Sequence, residues 1–196
     1  MLDDVRIYFI GDSYINGTGD PEYLGWPGRV CAASNGKSAA ITGYNLGIRA
    51  DTSADILRRW ESEIAARRLV PHDARLVFGF GANDCYLIDG QKRVERPESE
   101  KNARDILTKA QALLPTLMIG PPPGVDEEQQ ALRADMSELL KGITADVGVP
   151  YLDVIQGMDP TVWRDEAKSG DQIHPGAGGY AALAQLVLDW QGWWFK

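Results

Sequence analysis

Residues 5–13 read Val-Arg-Ile-Tyr-Phe-Ile-Gly-Asp-Ser, a short apolar run that ends at a glycine and is followed by two polar side chains. The β-branched and aromatic residues in this run predict a buried strand over 5–10. Gly11 ends the strand, so Asp12 and Ser13 come directly after it. We therefore expect a strand that delivers polar side chains to its carboxyl end.

Similar runs recur along the chain, with helical patterns between them. The runs predict four further strands, over 39–46, 74–80, 115–120 and 150–154. Apolar periodicity predicts helices over 26–33, 53–68, 97–114, 126–147 and 177–190. Ser53 is the expected N-cap of the second helix. Residues 84–96 and 159–170 are the least regular stretches.

The alternation of strand and helix predicts an α/β fold. Right-handed crossovers restrict it to a three-layer α/β/α sandwich with a doubly wound, five-stranded parallel sheet of the flavodoxin-like type. No linker or internal repeat interrupts the pattern, so residues 1–196 are predicted to form one domain. In such sheets, functional side chains lie beyond the carboxyl ends of the strands.

Composition restricts the partners and the compartment. The net charge of −8 disfavours nucleic acid and anionic lipid as partners. No apolar window is long enough to span a membrane, and the first residues do not resemble a signal peptide, so stable membrane insertion is not expected. Cys31 and Cys85 lack metal-ligand spacing and are interpreted as free thiols in a reducing cytoplasm.

Polar residues follow the predicted strands in four short blocks. The blocks are Gly11-Asp12-Ser13, Gly47, Gly81-Ala82-Asn83-Asp84 and Asp171-Gln172-Ile173-His174-Pro175. Each block alone has an ordinary interpretation as a cap, a turn or a loop. Their joint occurrence, each in the expected place, favours a functional site instead.

A serine hydroxyl is a weak nucleophile at neutral pH and needs an adjacent base, a role that suits histidine. The chain contains two histidines, His72 and His174. His72 comes just before the third predicted strand, which would place it at the opposite end of the sheet. His174 lies three residues after Asp171, a carboxylate that a tight loop can bring onto the imidazole.

Over residues 8–175 the blocks together resemble the GDSL-type hydrolases, also called the SGNH superfamily. The resemblance implies Ser13 as nucleophile, with Asp171 and His174 completing a catalytic triad. It also implies an oxyanion hole formed by the Ser13 N–H, the Gly47 N–H and the Asn83 side chain. Asp12 and Asp84 are expected to support the loops by hydrogen bonds. Two departures are Tyr14, where leucine is common, and the absence of a further glycine soon after Gly47.

The function expected from this set is hydrolysis of carboxylic esters through an acyl-serine, with small-molecule esters (short-chain acyl, aryl or lipid) as substrates and no metal or organic cofactor. Two alternatives on the same scaffold are an acyltransferase and a carbohydrate O-deacetylase. A more remote alternative is a flavin or phosphate site at the loop of residues 11–19. A catalytically silent binding domain is disfavoured by the intact triad.

The substrate pocket is less well determined by sequence. The aromatic residues 14, 23, 26, 86 and 163 are candidate walls, although ordinary packing is the favoured interpretation. Arg49 is interpreted as a solvated surface residue in preference to a contact for an anionic substrate group. The terminal Trp193-Trp194-Phe195 is expected either to cover an edge of the core or to meet a second subunit, which leaves a homo-oligomer open.

Overall fold

The computed structural model describes residues 2–67 and 73–196. Its strands are β1 (Asp3–Gly11), β2 (Ala39–Gly47), β3 (Asp73–Gly79), β4 (Leu87–Ile88), β5 (Gln91–Lys92), β6 (Thr116–Ile119) and β7 (Tyr151–Leu152). Its helices are α1 (Ser13–Asn16), α2 (Gly25–Ser34), α3 (Ser53–Ala65), α4 (Arg96–Leu113), α5 (Glu127–Val147), α6 (Val154–Gly157), α7 (Thr161–Ser169) and α8 (Ala177–Asp189).

Five of the strands form a parallel sheet in the order β2-β1-β3-β6-β7. This order confirms the predicted flavodoxin-like, doubly wound topology. Register brings the ends of three neighbouring strands level, because Gly11 pairs with Gly47 on one side and with Gly79 on the other. The chain leaving each of these strands therefore enters the same region of space. β4 and β5 form a separate antiparallel hairpin.

Successive side chains of β1 point to opposite faces of the sheet, and each face has its own apolar core. Ile7 and Phe9 belong to one apolar cluster, which includes Trp26 of α2 and side chains of α8. Tyr8 and Ile10 belong to the other, which includes Trp60 of α3 and side chains of α4 and α5. Burial of both faces explains why the strand reads as a continuous apolar run instead of an alternating one.

Several expectations for local structure were wrong. The N-cap of α3 is Thr52 instead of Ser53, because the Thr52 side chain accepts a hydrogen bond from the Asp55 N–H and the Asp55 side chain accepts one from the Thr52 N–H. This reciprocal pair is a capping box. Residues 159–170 contain the helix α7, and α6 follows β7 so closely that this strand is shorter than 150–154. The predicted end of the helix at residue 68 lies outside the described residues.

The C-terminal aromatic residues cover the core. Trp193 and Phe195 are buried in the cluster beside α2 and α8. The Trp193 indole N–H donates to the Ser34 hydroxyl, which in turn donates to the Phe195 carbonyl. The C-terminal aromatic residues were expected either to cover an edge of the core or to meet a second subunit. The structure shows that they cover the core. In the described residues, no helix has the length and apolar character needed to cross a membrane.

Candidate active site

Ser13 occupies a sharp turn directly after β1. Asp12 follows the strand in an extended conformation and caps α1, since its Oδ1 accepts the Tyr14 N–H at 2.9 Å. The helix stops after one turn at Gly17, which has a left-handed φ of 85° that glycine adopts without strain. The Ser13 side chain thus sits at the carboxyl edge of the sheet, almost buried, with 4% of its surface exposed.

A chain of hydrogen bonds connects Ser13 to an imidazole and a carboxylate. His174 Nε2 lies 2.8 Å from Ser13 Oγ, and His174 Nδ1 lies 2.7 Å from Asp171 Oδ2. Asp171 Oδ1 also accepts the backbone N–H groups of Ile173 and His174, at 3.0 and 2.8 Å. One carboxylate therefore orients the ring and shapes the loop that carries it. Nδ1 bound to a carboxylate favours the tautomer in which Nε2 accepts a proton from serine.

The environment sets the protonation of both groups. Burial lowers the pKa of His174 below its ordinary value, although Asp171 acts in the opposite direction; the positive charges of Arg49 and Arg133 lower it further. The ring is therefore neutral at pH 7 and available as a base. Burial acts to raise the pKa of Asp171, but hydrogen bonds from His174 and Ile173 outweigh it and leave this pKa lowered. Asp171 is consequently ionised beside the ring.

The expected oxyanion donors lie close by but have local partners. The Gly47 N–H donates to Asn45 Oδ1 at 3.0 Å. Asn83 Nδ2 donates to Asp12 Oδ2 at 3.2 Å and to the Asp51 carbonyl at 3.0 Å. A Cβ on Gly47 would lie 2.2 Å from the Asn16 nitrogen, so only glycine lets β2 approach the Ser13 turn this closely.

The two expected supporting carboxylates are both buried at this edge. Asp12 connects the Ser13 turn to Asn83, and burial raises its pKa to about 7. Asp84 accepts the Ser53 N–H and the Ser99 hydroxyl, each at 2.7 Å. Burial also raises the pKa of Asp84. These bonds join the loops after β1 and β3 to helices α3 and α4.

Sequence reasoning missed Arg133, a buried arginine of α5. Its guanidinium donates to the carbonyls of Pro122 and Pro123 and, at 2.7 Å, to the Tyr14 hydroxyl. Tyr14 then donates to the Ile173 carbonyl at 3.1 Å, next to His174. The residue that departs from the family pattern therefore braces the histidine loop. Arg133 lies three positions before buried Met136 on the same helix, a spacing that places it on the inner face.

Glu166 of α7 is a second residue that sequence reasoning missed. Its carboxylate accepts the N–H groups of Gly176, Gly178 and Gly179, at 3.0, 3.0 and 2.7 Å. These donors belong to the first turn of α8, where backbone N–H groups lack partners within the helix. Because Gly176, the N-cap of α8, directly follows His174-Pro175, Glu166 fixes the other side of the histidine loop. Glu166 lies in a stretch that was predicted from sequence to be irregular, so its position on a helix beside the start of α8 was not foreseen.

A cavity of about 360 Å³ opens beside Ser13 and His174. Of the aromatic walls proposed from sequence, Tyr14 and Tyr86 line it, together with Ile88 from the β4–β5 hairpin. Tyr23 is 94% exposed and lines a different cavity, whereas Trp163 is buried in the core against the ring of Tyr14. The hairpin within the irregular stretch 84–96 therefore forms one side of this cavity.

The loop of residues 11–19 has little capacity to cradle a phosphate. Its N–H groups at Tyr14 and Asn16 donate to Asp12, and those at Gly17 and Thr18 donate to the Ser13 carbonyl. A phosphate-binding loop needs such groups free to face the ligand. In the described part of the chain, no group of three or more His, Cys, Asp or Glu side chains is placed to hold a metal ion.

A serine, a histidine and a carboxylate in hydrogen-bonded succession are the arrangement that serine hydrolases use. The chain belongs to the GDSL-like lipase/acylhydrolase family, whose model matches residues 9–182. It is accordingly a carboxylic ester hydrolase of the SGNH type.

Solved structures share the fold of this chain. Axe2, an acetylxylan esterase from Geobacillus stearothermophilus, superposes with a TM-score of 0.74 at 19% identity, covering 97% of this chain and 94% of that one. A lipase/acylhydrolase from Enterococcus faecalis superposes with a TM-score of 0.73 at 23% identity, covering 93% of each chain. No curated protein matches the sequence.

Proposed function

We propose that Ser13, His174 and Asp171 are the catalytic triad of this esterase. The observation that carries the proposal is the 2.8 Å separation between Ser13 Oγ and His174 Nε2, with Asp171 on the far side of the ring. The lowered pKa of His174 supports its role as the base, because the ring is unprotonated at neutral pH.

The proposed reaction proceeds in two halves. Ser13 Oγ attacks the ester carbonyl carbon while its proton passes to His174 Nε2. The bond to the alcohol oxygen breaks as His174 returns that proton to it, which leaves an acyl-serine. Water then attacks the acyl-serine with His174 again acting as base, and the carboxylic acid leaves as Ser13 regains its proton. The steps need no metal or organic cofactor.

We propose that three donors stabilise the negatively charged oxygen of the tetrahedral intermediate. They are the Ser13 N–H, the Gly47 N–H and the Asn83 side-chain amide. The Gly47 and Asn83 donors face local acceptors in the free enzyme, so the oxyanion must replace Asn45 and either Asp12 or the Asp51 carbonyl. Catalytic hydrogen bonds commonly tighten only when substrate is bound. Asp12 and Asp84 hold the loops on which these donors lie.

The Geobacillus acetylxylan esterase supports the same assignment. Its catalytic mutants replace a serine, an aspartate and a histidine, the last two being three positions apart in its sequence. Asp171 and His174 have that spacing here. Since that enzyme removes acetyl groups from a carbohydrate, O-deacetylation of carbohydrates is the second candidate activity. Short-chain acyl, aryl or lipid esters remain the primary proposal.

An assay with short-chain 4-nitrophenyl esters tests the proposal. We expect wild-type protein to release nitrophenol and Ser13→Ala to lose at least about 10⁴-fold in kcat. Ser38→Ala, which alters an exposed serine in the turn before β2, is the matched control and should retain full activity. Equal rates for wild type and Ser13→Ala would overturn the assignment.

Product analysis separates hydrolysis from the other candidate activities. With an acetylated xylooligosaccharide, release of acetate into water would support O-deacetylation. With a nitrophenyl ester and added alcohol, accumulation of a new ester in place of the free acid would identify an acyltransferase. We expect the free acid as the main product with nitrophenyl esters.

We further propose that residues 1–196 form a single domain. We also propose that the protein is cytoplasmic and has no nucleic-acid partner. Free thiols at Cys31 and Cys85 are consistent with a reducing compartment, and the net charge of −8 disfavours nucleic acid. Cell fractionation tests the location. Gel filtration tests whether the protein forms a homo-oligomer.

A further inference from the structure

The cavity beside Ser13 carries a charge opposite to that of the whole protein. The chain has a net charge of −8, yet the cavity is lined by Arg49, Arg93 and Arg133. Among the described residues that line it, none is an aspartate or a glutamate. A cleft lined by one sign of charge concentrates ligands of the other sign.

These three arginines also lack carboxylate partners. Most of the other described arginines form an ion pair with an aspartate or a glutamate, as Arg29 does with Asp20. In residues 2–67 and 73–196, no ion pair includes Arg49, Arg93 or Arg133. Their positive charge therefore remains available to a ligand.

Carboxylates around the cavity are engaged by other groups. Asp171 is engaged by the His174 ring and two backbone N–H groups. Asp12 and Asp84 are buried. Asp84 is within electrostatic reach of Arg93, but its oxygens accept the Ser53 N–H and the Ser99 hydroxyl, and it forms no ion pair with Arg93. Asp126 and Glu128 line a smaller neighbouring cavity of about 130 Å³ that also touches Arg133, without forming an ion pair with it.

The arginines differ in their freedom to bind. Arg133 is buried, and its guanidinium is held by two proline carbonyls and the Tyr14 hydroxyl. It supplies a fixed positive charge at the base of the cavity. Arg49 is exposed and Arg93 is half-buried, so both side chains can meet a ligand. The influence of Arg49 on His174 places its charge within electrostatic reach of the reacting groups.

We propose that the esters cleaved at Ser13 carry a second, anionic group, a carboxylate or a phosphate, which binds Arg49 and Arg93. This inference rests on the proposed function, because it names the substrate class of the same site. The planar guanidinium fork fits both carboxylate and phosphate oxygens, with charge-assisted hydrogen bonds. Because Arg49 is exposed and Arg93 is half-buried, the anion would lie toward the rim of the cavity, with the ester carbonyl at Ser13.

A matched pair of esters tests the proposal. Mono-4-nitrophenyl adipate and 4-nitrophenyl hexanoate have acyl chains of equal length and differ in the terminal carboxylate. We expect a higher kcat/KM for the adipate ester in wild type. Arg49→Gln and Arg93→Gln should each lower the adipate-to-hexanoate ratio about three- to tenfold. Lys37→Gln, an exposed cation at the amino end of β2, changes the net charge equally and should leave the ratio unaltered.

Competition identifies the anion. Glutarate and glycerol 3-phosphate, with neutral glutaramide as control, are tested as inhibitors of hexanoate hydrolysis. Stronger inhibition by one of the anions, weakened in Arg49→Gln and Arg93→Gln, supports the proposal and shows whether carboxylate or phosphate is preferred. Equally weak inhibition by all three compounds would overturn it.

The proposed function and the proposed substrate class are contradicted by different results. If neither ester is hydrolysed faster by wild type than by Ser13→Ala, the proposed function is wrong. If both esters are hydrolysed with dependence on Ser13, but the ratio of their kcat/KM values is unchanged in Arg49→Gln and Arg93→Gln, the substrate class alone is wrong.

Discussion

His174 Nε2 lies 2.8 Å from Ser13 Oγ although 161 positions separate the two residues in the chain. The contact exists because β1 delivers Ser13 to the carboxyl edge of the sheet and the loop before α8 returns to the same edge. Asp171 holds that loop from within, and Tyr14 and Glu166 brace it from the two sides. The consequences of this geometry can be measured.

The rate should depend on the protonation of His174. Because burial lowers the pKa of this ring, kcat/KM should be level near pH 7 and fall as the pH drops through a pKa below 6.5. Arg49→Gln should move this acid limb to higher pH, since Arg49 lowers the pKa of His174. A pH–rate profile on a neutral ester measures both. A profile that stays flat down to pH 4 would exclude His174 as the base.

Replacing Asp171 with asparagine should impair catalysis without unfolding the loop. The asparagine Oδ1 can still accept the Ile173 and His174 N–H groups, but its NH₂ group opposes the tautomer that Nε2 needs as a base. We expect kcat to fall about 10²–10⁴-fold in Asp171→Asn. Asp165→Asn, at an exposed aspartate of α7, is the matched control. Retention of wild-type kcat in Asp171→Asn would argue against the triad.

Removal of the Asn83 amide should lower kcat more than it changes KM. The oxyanion develops only after substrate binds, so a lost donor weakens the transition state and not the ground state. We expect a loss of about 10²–10³-fold in kcat for Asn83→Ala. Steady-state kinetics with one nitrophenyl ester gives both constants. A rise in KM at constant kcat would instead assign Asn83 to substrate binding.

Asp12 should make the fold less stable as the pH rises. Its pKa is about 7 in the folded protein, so between about pH 4 and 7 the folded state keeps a proton that the unfolded state has lost. The free energy of unfolding contributed by this group therefore falls through that window. Urea unfolding of wild type and Asp12→Asn measures it, because the contribution of His174 is common to both and cancels.

From pH 5 to pH 8, the stability of Asp12→Asn should improve relative to wild type by about 1–3 kcal/mol. A constant difference across this range would show that the Asp12 carboxyl titrates at its ordinary pKa.

The sheet could be predicted because each strand is a local pattern. A strand that is buried on both faces needs a continuous apolar run, as in residues 5–10. A glycine ends each of β1, β2 and β3, and the three glycines are paired in register. The polar blocks after these strands were visible for the same reason. His174 was preferred over His72 because of its position after the last strand and because Asp171 lies three residues before it, and His72 lies outside the described residues.

The remaining features depend on contacts that the local pattern does not encode. Arg133 stands in a helical stretch whose apolar neighbours dominate the sequence signal, and its partners lie on the loops after β1 and β6. The polar composition of residues 161–169 hid the helix α7, which is oriented by buried Trp163 and Ala167 and by the Glu166 cap on α8. Arg49 is exposed, in line with its interpretation as a surface residue, but the cavity that it lines exists only after folding.

Covalent labelling tests the central claim most directly. A fluorophosphonate reacts with a serine only when an adjacent base activates it, and the modified residue is located by peptide mass spectrometry. At pH 7.5 we predict stoichiometric labelling of wild type at Ser13, with loss of ester hydrolysis in parallel, and greatly slowed labelling in His174→Ala. Absence of labelling, or labelling at another residue with Ser13 unmodified, would contradict the account.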